Sequence, residues 1–506
     1  MTDKVLTLEG LAAQLAGEKA AGRKVVLCHG VFDLLHIGHI RYLRRAKGYG
    51  DVLAVTLTPD RFVDKGPGRP VFNEHLRAES LASLGVVDYV AINEWPTAED
   101  TLRVLKPDFY AKGAEFRNLS DDTTGKIARE AMVAKEVGTE LVFIEDIVYS
   151  SSSLINQHLE VYPEELDQYL KLLRQRHTPD QALEVIDRMR GVKVLVVGDA
   201  IIDQYAYCSP LGLSSKDPTM ALKQLSMENF PGGAIAVARH VAGLSDHVGL
   251  FTMFGEDCPY VDMMKDSLSE KVRLTYGRAP DAPTVRKLRY VDSYSLAKLL
   301  EIYHMSDQPL PEAASRDMLD RLSAIIDDYD LVLVADYGHG LITEEMVELL
   351  ARKARYLAVN TQANAGNRGF HTILRYPRAD FISLARHEIN LAFRDRKSPV
   401  LELMTVLQNQ IKPQTLVVTC GSDGLKALTA TDYVQTPALT TRTVVDRVGA
   451  GDALFAASAL AAWLGCPLEL LGLIGNIAGA RLVETIGNNA GLQAGDLKKA
   501  LTAMLK

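Results

Sequence analysis

The chain has 506 residues, of which 47% are hydrophobic and 24% charged, and its formal net charge is −8. That length exceeds one compact core and predicts two or three domains, while the composition excludes a mainly disordered chain. The acidic balance excludes a general polyanion-binding surface, so no nucleic acid partner is expected. Any phosphate site has to be local, built from backbone N–H groups and a few Lys or Arg.

In chain order, residues 6–22 read as a helix ahead of a short buried strand at 24–28. A helix follows from His36, with Ile40, Leu43 and Ala46 on one face. Strands are expected at 51–57, 86–92 and 141–144. Strands alternating with helices predict a parallel sheet covered on both faces. Residues 160–190 are charged, helix-rich and free of glycine, which predicts a structured helical connector. A second α/β unit opens with a strand at 192–197 and continues with strands at 331–335, 356–359, 381–383 and 415–419. The apolar stretch 453–474 is interrupted by Pro467 and Glu469 and follows a glycine-rich loop. It reads as two buried helices and not as a membrane span. The expected division is 1–160, a connector at 161–190, and 191–506. The five cysteines show no CxxC pairing and the N-terminus shows no signal peptide. Free thiols in a reducing, cytoplasmic setting are therefore expected.

Two segments carry chemistry. The first is His29-Gly30-Val31-Phe32-Asp33-Leu34-Leu35-His36-Ile37-Gly38-His39. Its Gly30–Asp33 turn joins a strand to a helix, whose N-terminus offers unpaired N–H donors and a positive dipole end to phosphate. His36 and His39, three apart, share a helix face. Two imidazoles there can hold the charge that develops on an attacked phosphate, worth about 10²–10³-fold per donor. By spacing alone the pair also fits a core or metal role, though no third ligand is obvious.

The second segment is Asp446-Arg447-Val448-Gly449-Ala450-Gly451-Asp452. Its glycines let backbone approach a phosphate closely ahead of an apolar helix. Asp452 there can take the proton of an alcohol attacking ATP, a role worth about 10²–10⁴-fold. The plainer reading is a glycine turn with an N-capping Asp.

The first segment resembles the signature of the cytidylyltransferase-like nucleotidyltransferases. Arg69-Pro70 with Arg77, Lys112-Gly113-Ala114-Glu115-Phe116 and the serine run from Ser150 follow in that family's order. The resemblance is nearest to the adenylyltransferase part of the ADP-heptose synthesis enzymes. It implies a Rossmann-like domain in which His36 and His39 are catalytic. Gly30, Phe32, Ser151 and Ser152 then contact nucleotide, and Lys112 contacts the sugar phosphate. Asp33 is implied equally as a contact to substrate hydroxyls or an N-cap, and Arg77 equally as a phosphate contact or a structural ion pair.

The second segment resembles the DTxGAGD signature of the ribokinase-like (PfkB) sugar kinases. Gly198-Asp199 with Asp203, Gly232-Gly233-Ala234, Asp336-Tyr337-Gly338-His339-Gly340 and Thr419-Cys420-Gly421-Ser422-Asp423-Gly424 stand in that family's order. The resemblance implies Asp452 as base and Gly449, Ala450 and Gly451 as the phosphate cradle. Thr419, Gly421 and Gly424 fall beside ATP, and Asp199, Asp203, Gly232 and Gly233 beside the sugar. Three positions depart from the pattern. Ala236 stands for a sugar-reading Asn, Asn360-Thr361-Gln362 for an Asp-Pro-Lys-like element, and Ala385 for a magnesium-organising Asn, although Glu388 remains as an indirect metal contact.

Together the resemblances imply a bifunctional heptose kinase/adenylyltransferase with the family's usual domain order reversed. The kinase would act on a sugar such as a heptose phosphate. The transferase would join a sugar 1-phosphate to ATP, or to CTP, and release pyrophosphate. Mg²⁺ is the implied cofactor at both sites, the partners are sugar phosphates and nucleotides, and a homo-oligomer is expected. The alternatives are a silent, regulatory kinase-like half, or a CTP-dependent enzyme making another NDP-sugar or a CDP-polyol.

Overall fold

In the computed structural model, residues 4–63, 70–113, 126–144, 162–367, 369–439 and 444–505 are described. The chain divides into two compact units, Met1–Glu164 with Lys498–Lys506, and Glu165–Leu497.

Among its described residues the first unit carries six strands: β1 Val5–Leu6, β2 Val25–Gly30, β3 Val52–Leu57, β4 Tyr89–Ile92, β5 Phe109–Gly113 and β6 Glu140–Ile144. They pair in parallel in the order β1-β4-β3-β2-β5-β6. Successive side chains of a strand point to opposite faces, and both faces are covered here. Val26 and Cys28 pack with Leu43 and Ala46 of helix Ile37–Lys47. Val25 and Leu27 pack with Leu11 and Leu15 of helix Leu8–Ala20 and with Leu102. Thr7 caps the first helix by accepting from the Gly10 N–H at 3.1 Å. The chain runs outward from β2 through β3 to β4, then returns to place β5 on the other side of β2. A crevice opens at such a reversal, at the carboxyl ends of β2 and β5. Gly30 and Lys112–Gly113 sit at those ends.

The second unit adds β7 Lys193–Gly198, β8 Ala200–Leu213, β9 Met220–Gly233, β10 His247–Gly255, β11 Val272–Ala279, β12 Val285–Asp292, β13 Lys298–His304, β14 Leu331–Asp336, β15 Leu357–Thr361, β16 Phe381–Ala385, β17 Thr415–Thr419, β18 Leu425–Leu428 and β19 Tyr433–Thr436. Nine form one sheet in the order β11-β10-β7-β14-β15-β16-β17-β18-β19, parallel except at β17/β18 and β18/β19. Four form a separate sheet, β13-β12-β8-β9. This second sheet is not visible in the sequence pattern. Its strands contain Pro210, Gly212, Pro231 and two terminal glycines, and the β8/β9 register shifts near Pro210. Proline and glycine of this kind read as loop.

Residues 164–189 form two helices, Glu164–Arg176 and Pro179–Met189, the second closed by a capping box between Thr178 and Gln181. Both belong to the second unit, where the Tyr169 hydroxyl donates to the Glu469 carbonyl at 2.5 Å. The apolar stretch forms Ala450–Trp463 and Leu468–Leu482, two buried helices with Pro467 capping the second. No helix among the described residues is long and apolar enough to cross a membrane. All five cysteines are free.

Candidate active sites

At the end of β2 the chain turns and starts helix Ile37–Lys47 with His36 as its N-cap. The cap is an imidazole: His36 Nδ1 accepts from the Gly38 N–H at 3.1 Å. Burial holds the ring's pKa below the usual histidine value. A neutral imidazole that accepts at Nδ1 carries its proton on Nε2. That Nε2 is buried and has no partner among the described residues, so a donor is left for a ligand. The His39 ring lies on the first, with centroids 4.1 Å apart and planes 35° apart. Two rings on the first turn of an eleven-residue helix thus stand where its dipole favours an anion.

Lys112, at the end of β5, pairs with Glu130 Oε2 at 2.8 Å. Glu130 also accepts from the Ala98 N–H at 3.1 Å and the Tyr110 hydroxyl at 3.0 Å. Burial works to raise its pKa, but Lys112, His29 and the Ala98 N–H together outweigh burial and the carboxyl lies below its ordinary value. Lys112 is therefore held in place at the crevice by a buried carboxylate.

Three residues expected at this site are held by the protein itself. Arg77 has the contacts of a structural residue. Its side chain is fully buried, and it donates to the carbonyls of Phe72 at 3.0 Å, Thr58 at 2.9 Å and Val31, and to Asp60 at 2.6 Å. A guanidinium has five N–H donors, and most of these are taken by the protein. Asp33 is neither the N-cap nor open to substrate. It is buried, and its Oδ1 accepts from the Val71 N–H at 2.6 Å and the Phe72 N–H at 3.3 Å, tying down the segment before helix Glu74–Ala82. Phe32 places its ring in the core, edge-on to His39 at 5.3 Å, so it backs the histidine pair where a nucleotide contact was expected. Arg69, Ser151 and Ser152 lie outside the described residues.

In the second unit, Gly198-Asp199, Asp336, Ala385 and Thr419 all fall at carboxyl ends of parallel strands. Asp199 is buried, with His339 N–H donating to Oδ2 at 3.2 Å and Leu341 N–H to Oδ1 at 3.1 Å. Burial, reinforced by Asp336, pushes its pKa up to about 6. Asp203 lies across the β8–β9 hairpin from Phe230, just ahead of the glycine pair. A Cβ on Gly232 would stand 2.2 Å from its carboxylate, so only glycine fits there. Arg289 Nη1 binds Asp203 Oδ1 at 2.5 Å and Arg289 Nη2 binds Glu301 at 2.8 Å. Gly233 caps helix Ala234–Ala242, which begins directly after it.

The apolar helix starts at Ala450, three residues before its expected start, with Gly449 as cap. Asp452 therefore lies within the first turn and is not an N-cap. Its Oδ1 accepts from the buried Tyr337 hydroxyl at 2.8 Å. Burial pushes its pKa up to about 6, Asp203 adds to the rise, and Tyr337 and Lys287 oppose it. A carboxylate poised there suits general-base work near neutrality. Gly449 has φ +85°, and a Cβ on it would meet Asn488 Oδ1 at 1.8 Å. The turn is anchored by buried Asp446, which accepts from the Tyr205 hydroxyl, Lys298 Nζ at 2.5 Å, the Val448 N–H at 3.1 Å and the Gly487 N–H at 3.1 Å.

Thr419 and Ala385 are register partners on adjacent strands, and the Gly421–Asp423 turn follows Thr419. Gly424 closes this turn as its carbonyl accepts from the Cys420 N–H at 2.7 Å. Glu388 is buried and accepts from the Ala385 N–H at 2.6 Å and the Ala363 N–H at 3.0 Å. Burial pushes its pKa up to about 7, and the nearby Asp452 charge contributes. At Asn360 the amide is turned onto the Ser383 carbonyl at 2.8 Å. Among the described residues no group of three or more metal-ligating side chains is present. Mg²⁺ commonly takes only one or two carboxylates besides substrate phosphates, and buried Glu388, with both oxygens accepting from backbone N–H groups, fits an indirect contact. Sequence reading gave no role to Tyr337, although it lies in the Asp336–Gly340 motif, and it missed Lys287 and Arg289, which belong to the undetected sheet.

The cytidylyltransferase-like family model matches residues 27–158 and the pfkB family carbohydrate kinase model residues 192–494. The chain is 38% identical over 164 residues to the bifunctional protein HldE of Geobacter metallireducens, covering 32% of each chain. It is 41% identical over 133 residues to the protein of the same name from Aliarcobacter butzleri, covering 26% of this chain and 27% of that one. It thus spans about a third of the length of the curated relatives it matches. Among solved structures, phosphofructokinase-2 of Escherichia coli in complex with potassium superimposes with a TM-score of 0.50 at 16% identity, covering 62% of this chain and 100% of that one. That likeness shows a shared fold for the second unit. With a family model covering more than half its length, the chain belongs to the pfkB family of carbohydrate kinases, and carries a cytidylyltransferase-like segment ahead of the kinase-like one.

Proposed function

We propose that the chain is a bifunctional sugar-nucleotide enzyme. Its first unit joins a sugar 1-phosphate to ATP and releases pyrophosphate. Its second unit phosphorylates a sugar, with a heptose phosphate as the preferred acceptor. The observation that carries the first activity is the close, tilted His36/His39 pair on a helix N-terminus, with His36 Nε2 left as an unpartnered donor among the described residues. As charge develops on the attacked α-phosphate, these rings and the helix N–H groups bind the oxygens, and Lys112 binds the sugar phosphate.

In the second unit Asp452 takes the acceptor proton while the Gly449–Gly451 turn receives the transferred phosphoryl group. Glu388 would help organise a bound Mg²⁺, which would supply charge neutralisation. The bifunctional names of the relatives similar to the first unit support the pairing of activities. Free cysteines accord with a cytoplasmic setting. The exposed Leu211, Leu213, Met220, Leu225 and Met227 on the long β8–β9 hairpin favour a homo-oligomer built there.

The test is a nucleotide-by-sugar-phosphate screen read as pyrophosphate release, paired with ADP release from a sugar and sugar-phosphate panel. His39→Ala is expected to lower pyrophosphate release about 10²–10³-fold and to spare ADP release. Equal pyrophosphate release by that variant and the parent would overturn the first assignment. Absence of ADP release with every acceptor would overturn the second.

A further inference from the structure

The four-stranded sheet of the second unit brings two cations of β12 onto one face, at positions two apart. In register, Lys287 stands beside Asp203 of β8 and Tyr303 of β13, and Arg289 beside Tyr205 and Glu301. The two cations are used differently. Arg289 is bound on both sides, to Asp203 and to Glu301. Lys287 is 5% exposed, yet no carboxylate, carbonyl or hydroxyl among the described residues accepts from it. It lies instead over two rings, 5.2 Å from the Tyr303 centroid and 5.9 Å from that of Tyr337. Tyr337 is the residue whose hydroxyl binds the proposed base, Asp452.

An ammonium group is rarely buried unless it is paired. Rings can hold such a cation in place, but they leave its N–H donors without acceptors. A second nitrogen nearby has no partner either: His339 Nε2 is buried with no hydrogen bond, in the segment whose backbone binds Asp199. Lys287 is close enough to help depress the His339 pKa, which burial chiefly lowers to about 3. The charges that act on Lys287 are Asp203, Arg289, Glu301 and Asp452. Three of these belong to its own sheet and the fourth is the base. Lys287 stands in register with Asp203, an expected sugar contact, and lies over the ring whose hydroxyl binds the base, so the unused cation belongs to the acceptor's part of the site.

We propose that Lys287 reads an anionic group on the acceptor, a phosphate carried by the sugar, with Tyr303 and Tyr337 holding the ammonium in position. This rests on the phosphoryl-transfer reading of the second unit, and it makes Lys287 a determinant of acceptor specificity outside the motifs read from the sequence. A neutral sugar leaves Lys287 without an acceptor, and a phosphorylated one supplies it. The expected discrimination is about 10- to 100-fold, the worth of a charge-assisted hydrogen bond.

The experiment uses the full chain and a panel of four- to seven-carbon aldose and ketose phosphates, each paired with its unphosphorylated parent. Binding without ATP is measured by calorimetry, and ADP release is measured separately. Lys287→Met keeps the length of the side chain and removes the charge, while Lys287→Arg restores a cation. The wild-type chain should bind the best phosphorylated member at least about 10-fold more tightly than its parent sugar. Lys287→Met should lose that preference and Lys287→Arg recover part of it, with the melting temperature checking the fold. Two results would overturn the proposal: no preference for any phosphorylated member in the wild-type chain, or the same preference in Lys287→Met. A fall in kcat for neutral and phosphorylated acceptors alike, with the preference kept, would also overturn it and assign Lys287 to the transferred group. ADP release from neutral sugars would leave the kinase reading standing even if this inference failed.

Discussion

Replacing Asp452 by Asn should abolish phosphorylation and at the same time stabilise the second unit. The folded carboxyl has its pKa raised from 3.8 to about 6, first by burial and then by Asp203. A raised folded value means that the folded state binds the proton more tightly than the unfolded chain. Ionising Asp452 therefore costs stability as pH climbs from about 4 to about 6, and the full cost persists above that. A shift of about 2 units at 1.36 kcal/mol each is about 3 kcal/mol at pH 8, and roughly half of that at pH 5. Asn cannot ionise, and its side-chain oxygen can still accept from the Tyr337 hydroxyl, so it escapes the cost without opening a cavity. For a unit of this size about 3 kcal/mol corresponds to a rise in Tm on the order of 5 °C. Scanning calorimetry of wild type and Asp452→Asn at pH 5 and pH 8 measures the gain and its pH dependence, and ADP release measures the lost base, about 10²–10⁴-fold. A variant no more stable than wild type at pH 8, or one that still phosphorylates at the wild-type rate, would refute the reasoning.

Two further outcomes follow from the same geometry. Arg77→Met should destabilise the first unit by about 3–5 kcal/mol, because three carbonyls and Asp60 lose a buried donor. Its denaturant midpoint should fall; an unchanged midpoint with a raised KM for sugar phosphate would return Arg77 to the binding site. Gly449→Ala should cost both stability and ADP release, since φ +85° and Asn488 Oδ1 at 1.8 Å leave no room for a methyl group. A variant with wild-type melting and kinetics would show that the turn is not rigid.

Local pattern alone was enough for the helix–strand alternation of the first unit, the paired helices after the Gly449 turn, and the placing of His36, His39, Asp199 and Asp452 at element ends. Those features depend on periodicity and on glycine, histidine and aspartate at short spacings, which act within a few residues. Only the tertiary structure decided which polar groups remain for a ligand. Arg77, Asp33 and Phe32 read as site residues by position, yet long-range partners hold all three inside the protein. Tyr337 became the partner of Asp452 across 115 residues of chain, and Lys287 became an unpaired buried cation only once β12 lay between β8 and β13. The reason is that burial and hydrogen-bond pairing are set by residues distant in sequence, so a side chain's chemistry cannot be read from its neighbours in the chain.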